Sequence, residues 1–256
     1  MFNSISFIGS GRVARIMLGG WQRANTLPKS VLVYDTSAQA VSALQTEFSA
    51  VKSATLDEAA AADLLFAALH PPLMGEMLAS IAGKLKDDAV LCSLAPKVKL
   101  AALKEKLGGF SRLARMNPNS PSIIGEGYNP VAFADELPSA VREQFLALVK
   151  PLGQSPQVVE NLLETYAVIS AMGPTYFGFQ FAEVEALAKS FGLGDDAARQ
   201  ALRAMLIGTA DLLFASDVPQ EKALDLVPVR PMAEHESEIK GMLQTQLGAI
   251  YAKLTS

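Results

Sequence analysis

Through the first 155 residues, short apolar runs alternate with stretches of helical periodicity, a pattern that predicts βαβ units and a parallel sheet. The strand candidates are residues 5–8, 31–34, 64–69, 90–94 and 112–116, each short and mostly apolar, as strands covered on both faces should be. Helical periodicity runs over residues 13–24, 38–48, 73–85 and 100–107. Residues 130–134 and 157–159 are expected to add strands around a helix over 139–149.

Beyond residue 155 the alternation stops. Residues 160–191 read as one long helix kinked at Gly173-Pro174, because proline lacks the backbone donor. Gly192-Leu193-Gly194 ends it, and Asp195 or Asp196 caps a helix over 197–215. Two more helices are expected over 220–226 and 234–254, separated by Val227-Pro228-Val229-Arg230-Pro231. The expected fold class is therefore α/β, a Rossmann-type doubly wound parallel sheet over residues 1–155 followed by an all-helical domain over 156–256.

The composition supports a core and removes several functions. Hydrophobic residues make up 50% of the 256 and charged residues only 19%, with a net charge of −4. No basic stripe is available for a phosphate backbone, so nucleic acid is not expected as a partner. Cys92 is the lone cysteine, which excludes an intrachain disulfide and thiolate clusters, and its apolar strand predicts a buried structural thiol. His70 and His235 are the only histidines and lie far apart in sequence, so no metal site is expected. The chain opens directly on a strand, and its longest uncharged stretch is broken by Gly173-Pro174. No membrane span and a cytoplasmic location are expected.

Chemistry enters at Gly9-Ser10-Gly11-Arg12-Val13-Ala14, which follows the first strand and opens a helix. In that context Gly-x-Gly-x-x-Ala is a dinucleotide fingerprint. Gly9 permits the tight turn, Gly11 lets the backbone approach a pyrophosphate, and Ala14 allows close helix packing. Free amides at the helix start then face the phosphates, with Ser10, Arg12 and Val13 on the same segment. Asp35 ends the second strand 21 residues after Ala14, placed to accept hydrogen bonds from a ribose diol. Thr36-Ser37-Ala38 follow it with no arginine, so of NAD and NADP the sequence favours NAD.

Several segments together resemble the pyrroline-5-carboxylate reductase family. They are the opening glycine motif (with Arg12 where asparagine is usual), Arg115-Met116-Asn117-Pro118-Asn119-Ser120-Pro121 with Gly125-Glu126-Gly127, then Glu160, Gly173-Pro174, Tyr176, Gly192-Leu193 and Gly208. The resemblance implies a Rossmann domain, a helical domain that dimerises by intertwining, and NAD(P)-dependent hydride transfer to the C=N carbon of a small cyclic imino acid. The family's hydroxyl-rich substrate loop has no counterpart; Val229-Arg230-Pro231-Met232-Ala233-Glu234-His235 stands there. Its Val-Lys-Pro reads Leu69-His70-Pro71, and its Ser-x-Ala-Gly reads Ser93-Leu94-Ala95-Pro96.

The candidate catalytic residues are accordingly Asn119, whose amide is implied to reach the nicotinamide region, Arg230, whose guanidinium is suited to a substrate carboxylate, and His70. His70, Pro71 and Ser93 follow strands at the carboxyl edge, where such sheets bind ligands, and join the cofactor-contact set. Lys97 and His235 are weaker candidates. The alternatives are a dehydrogenase of the 6-phosphogluconate or prephenate type, and a non-catalytic NAD(P)-binding redox sensor.

Overall fold

The computed structural model describes residues 2–69 and 71–256. The strands are β1 Ile5–Ile8, β2 Val31–Tyr34, β3 Val51–Ser53, β4 Leu64–Ala67, β5 Val90–Ser93, β6 Leu113–Met116, β7 Gly127–Tyr128, β8 Val131–Phe133 and β9 Gly153–Gln154. The helices are α1 Arg12–Arg23, α2 Ala38–Glu47, α3 Leu56–Ala60, α4 Pro71–Ile81, α5 Leu100–Lys106, α6 Ser139–Val149, α7 Leu163–Tyr166, α8 Gly173–Ser190, α9 Asp195–Phe214, α10 Gln220–Leu224 and α11 Glu236–Thr255. They form two compact units, residues 1–172 with 250–256, and residues 173–249. The boundary expected after residue 155 lies within the first unit.

In the first unit a sheet of order β3-β2-β1-β4-β5-β6-β8 is parallel except for β8, which runs antiparallel to β6. This is the doubly wound order with one added edge strand, and its direction reverses between β1 and β4. Side chains alternate between two cores, as the strand period requires. Phe7, Leu64, Phe66, Val90 and Cys92 join Met17, Leu18 and Trp21 of α1 and Phe145 of α6. Ile8, Leu65, Ala67 and Leu91 join Met74, Leu78 and Ile81 of α4 and Leu103 of α5. Phe7 stacks on Phe66 with centroids 4.9 Å apart, and the buried Trp21 Nε1 donates to the Leu148 carbonyl at 2.9 Å.

Three expectations are corrected. The strand expected over 157–159 reduces to one bridge, Val131 to Gln157. β3 and α3 occupy a stretch for which no element was expected, although Thr55 and Glu58 form a reciprocal capping box at the start of α3. The helix expected over 160–191 is broken before Pro174, by a π-helical turn over Ala167–Ala171; Pro174 itself sits near the start of α8, where its missing donor costs little.

The second unit contains α8, α9, α10 and most of α11. Gly192, at φ +102°, ends α8, and Glu185 binds Lys189 at 2.8 Å and Arg199 at 3.0 Å to tie α8 to α9. Of residues 173–249 only Gly173, Ala198 and Ala223 are buried. Phe179, Phe191 and Phe214 are 69%, 81% and 78% exposed.

Candidate functional site

The turn between β1 and α1 is built around a glycine that no other residue can replace without strain. Gly9 has φ +104°, and a Cβ there would lie 2.5 Å from the Ala68 carbonyl oxygen. The close approach is pinned on both sides, since Gly9 N donates to Tyr34 O and Ala68 N donates to Ile8 O, each at 2.8 Å. Gly11 is the N-cap of α1 in extended conformation, with no side-chain cap, and the first turn carries no acid. The first intrahelical bond is Arg15 N to Gly11 O at 3.2 Å, so the Arg12 and Val13 amides have no partner within the helix. A Cβ on Gly11 would meet no protein atom within 4 Å. The geometry leaves open an anion-sized space lined by positive backbone dipole.

Asp35 ends β2 and turns its carboxylate onto this loop. Its Oδ2 accepts from Ser10 N at 2.8 Å and Ser10 Oγ at 2.7 Å, and its Oδ1 accepts from Ser37 N at 2.9 Å. Burial opposes ionisation, but the Ser37 and Ser10 amides and the Ser10 hydroxyl outweigh it, so the pKa lies below the usual aspartate value. The same turn faces a cleft of about 400 Å³ lined by Gly9, Gly11, Tyr34, Asp35, Leu73 and Met77, among others. The cleft lies at the carboxyl ends of β1, β2 and β4, the position at which doubly wound sheets hold dinucleotides.

The other candidates fall differently. Ser93 is fully buried, and its Oγ accepts from Ala95 N at 3.3 Å in the turn after β5. Asn119 is buried with both ends of its amide engaged: Nδ2 donates to Ser170 O at 3.2 Å and Oδ1 accepts from Tyr128 N at 3.1 Å. Its amide braces the π-helical turn through the Ser170 carbonyl. Arg230 is half exposed and paired with Glu236 in the second unit, and His235 lies 3.9 Å from Glu238. His70 and the side chain of Pro71 lie outside the described residues. Cys92 is buried, and that burial pushes its thiol pKa upward, in keeping with a structural thiol.

Sequence reasoning assigned no role to a buried ion cluster at the carboxyl end of β6. Arg115, 1% exposed, donates through Nη1 to Glu160 Oε1 at 2.9 Å and through Nη2 to Glu164 Oε1 at 2.6 Å. The available signal was an arginine inside an otherwise apolar strand, Leu113-Ala114-Arg115-Met116, with two glutamates four residues apart downstream.

Residues 4–96, which contain the whole β1–α1–β2 site, match the family described as NADP oxidoreductase, coenzyme F420-dependent. Pyrroline-5-carboxylate reductase of Escherichia coli (strain K12) is 29% identical over 196 residues, 76% of this chain and 72% of that one. The chain is thus similar in sequence to pyrroline-5-carboxylate reductases over about three quarters of its length or more. Solved structures agree at the level of fold. A Plasmodium falciparum pyrroline carboxylate reductase with NADP bound matches with TM-score 0.83 at 19% identity, covering 98% of this chain and 97% of that one. The Streptococcus pyogenes reductase matches with TM-score 0.79 at 16% identity, covering 98% of each chain.

Proposed function

We propose that the chain is an NAD(P)H-dependent reductase that transfers hydride to the C=N carbon of a small cyclic imino acid, with pyrroline-5-carboxylate as the first substrate to test. The observation that carries the reading is the open amide cradle at Gly11–Val13, locked by the Ser10–Asp35 bonds and facing the cleft. Bound reduced nicotinamide supplies the hydride, and the chain's residues bind and orient. The Arg12 and Val13 amides hold the diphosphate, and Asp35 fixes the loop that presents them. Ionised Asp35, with no arginine in Thr36-Ser37-Ala38, repels a 2′-phosphate, so NADH is the preferred donor. Arg230 is the candidate carboxylate anchor, because its pair with Glu236 is exposed and screened by solvent, and so is readily exchanged for another carboxylate.

The second unit supports a homodimer. Phe177, Phe181 and Val184 form an exposed apolar stripe on α8, with Phe191 exposed just beyond its end, and a unit with so few buried residues lacks a core of its own. A second copy of the same helices is the partner of matching chemistry, and the cytoplasm is the proposed location; among the described residues no helix is long and apolar enough to cross a membrane. The test is oxidation of NADH in the presence of pyrroline-5-carboxylate and a panel of cyclic imines. Sustained turnover is expected; saturable NADH binding with no turnover across the panel refutes the reductase reading, leaving a non-catalytic dinucleotide sensor.

A further inference from the structure

Two residues other than glycine have positive φ among the described residues, Asn25 at 55° and Lys97 at 77°. Asparagine tolerates the left-handed region; lysine gains nothing from it and occupies it only where the surroundings hold it there. Lys97 lies in the turn between β5 and α5, at the same carboxyl edge of the sheet as the Gly9 loop and two strands away along it. What holds it is the buried ion cluster. Lys97 N donates to Glu164 Oε1 at 3.2 Å, the same oxygen that accepts from Arg115 Nη2. Three residues on, Leu100 N at the start of α5 donates to Glu160 Oε1 at 2.6 Å, the oxygen that accepts from Arg115 Nη1. The N-cap of α5, Lys99, makes no side-chain cap, so Glu160 takes that role from a distant part of the chain.

Each end of the 97–100 turn is thus gripped by one carboxylate, and both carboxylates are fixed by a single guanidinium rising from β6. Arg115 Nε has no partner, so Arg115 is held in this cluster through its two Nη groups alone. We propose that Glu164 and Glu160, locked by Arg115, are positioning residues that force the β5–α5 turn into its left-handed form and thereby shape the nicotinamide half of the dinucleotide site. The inference rests on the dinucleotide-dependent reading above. In a doubly wound sheet, β1 and β2 carry one half of a dinucleotide and the strands beyond the switch point, β4 and β5, carry the other.

The test compares NADH dissociation constants, read by fluorescence titration, for the wild type and four variants. Glu164→Met removes the acceptor but leaves Arg115 paired with Glu160, so one cation still faces one anion. Its Kd is expected to rise about tenfold, the size of one charge-assisted backbone bond. Glu164→Gln retains an acceptor oxygen and is expected to stay near wild type. Lys97→Gly alone leaves Kd within about twofold, since glycine adopts positive φ unaided. Glu164→Met with Lys97→Gly is expected to recover most of the lost affinity, which a general loss of stability would not do. A double variant as weak as Glu164→Met, or an unaltered Glu164→Met, overturns the proposal. Should Glu164→Met not fold, Lys97→Val forces the turn out of the left-handed region while the cluster stays intact, and an unchanged Kd there overturns it equally. If the wild type binds no NADH, the functional reading fails and takes this one with it; if the wild type binds and the variants do not discriminate, only the positioning role fails.

Discussion

Replacing Gly11 with alanine separates folding from cofactor binding at a single methyl group. Gly11 has φ −74° and ψ −166°, which any residue adopts, and its Cβ would meet no protein atom within 4 Å. Alanine is a poorer N-cap than glycine, by something on the order of 0.5–1 kcal/mol. The lower entropy of the unfolded chain returns about 0.4–1 kcal/mol. Net stability should therefore change by less than about 1 kcal/mol, a shift of at most roughly 4 °C in melting temperature for a chain of this size. Binding should respond otherwise. A methyl group in the cradle pushes the diphosphate off the amides beyond it, and two hydrogen bonds to a charged group are worth about 3 kcal/mol together at the low end. That is roughly a hundredfold rise in Kd for NADH. Thermal unfolding and fluorescence titration of the same preparation give both numbers. Wild-type affinity in Gly11→Ala would refute the placement of the diphosphate on this turn. Gly9→Ala is the control with the opposite logic: its Cβ would sit 2.5 Å from the Ala68 oxygen, on pinned backbone, so stability and binding should fall together.

Four further outcomes follow from the same geometry. Because the Asp35 pKa is lowered on folding, its bonds to Ser10 and Ser37 stabilise the fold above the unfolded value, near 3.8, and that stability is lost as pH falls through the folded value. Denaturant titrations of Asp35→Asn should thus lie below wild type at pH 7, with the gap narrowing as pH falls below about 3.8 through the lower folded value; a difference that stays constant with pH refutes the linkage. Asp35→Ser should narrow the preference for NADH over NADPH in steady-state kinetics, and no gain with NADPH removes the charge argument. Arg230→Ala should raise KM for the imino acid by about tenfold or more, as loss of a charge-assisted pair does, with NADH affinity unchanged; an unaltered KM ends its role as anchor. Phe181→Glu, on the exposed α8 stripe, should shift sedimentation from dimer to monomer, and a wild type that sediments as a monomer refutes the dimer outright.

What the chain discloses before folding depends on whether the signal is local. Ile5–Ile8 and Val31–Tyr34 were legible to the residue because both strands are apolar and bounded by turn residues. Val51–Ser53 was not, because a three-residue edge strand with one buried side chain carries no run to detect. Gly9, Gly11 and Asp35 were legible as a set because the fingerprint is a local constraint: a positive-φ turn, an open cradle and a strand-end carboxylate all lie within one βαβ unit. The surroundings of Ser93 and Asn119 were not legible, for the converse reason. Sequence places a polar residue at the carboxyl edge of a strand but does not say which way its hydrogen bonds run, and both proved to be spent on neighbouring backbone. The Arg115 cluster shows the same gap from the other side. Arg115, Glu160 and Glu164 were visible as charges, but their joint task, gripping the two ends of the turn at Lys97 and Leu100, exists only after β5, β6, α7 and the turn at Glu160–Leu162 before it have been brought together. A buried arginine that sits between two carboxylates is costly to desolvate, and removing one partner from such a group costs about 3–5 kcal/mol. Hydrophobic residues would fill that space more cheaply. Charge at this place therefore answers a requirement that packing does not meet, namely acceptors for two backbone amides in a turn that lysine would otherwise leave.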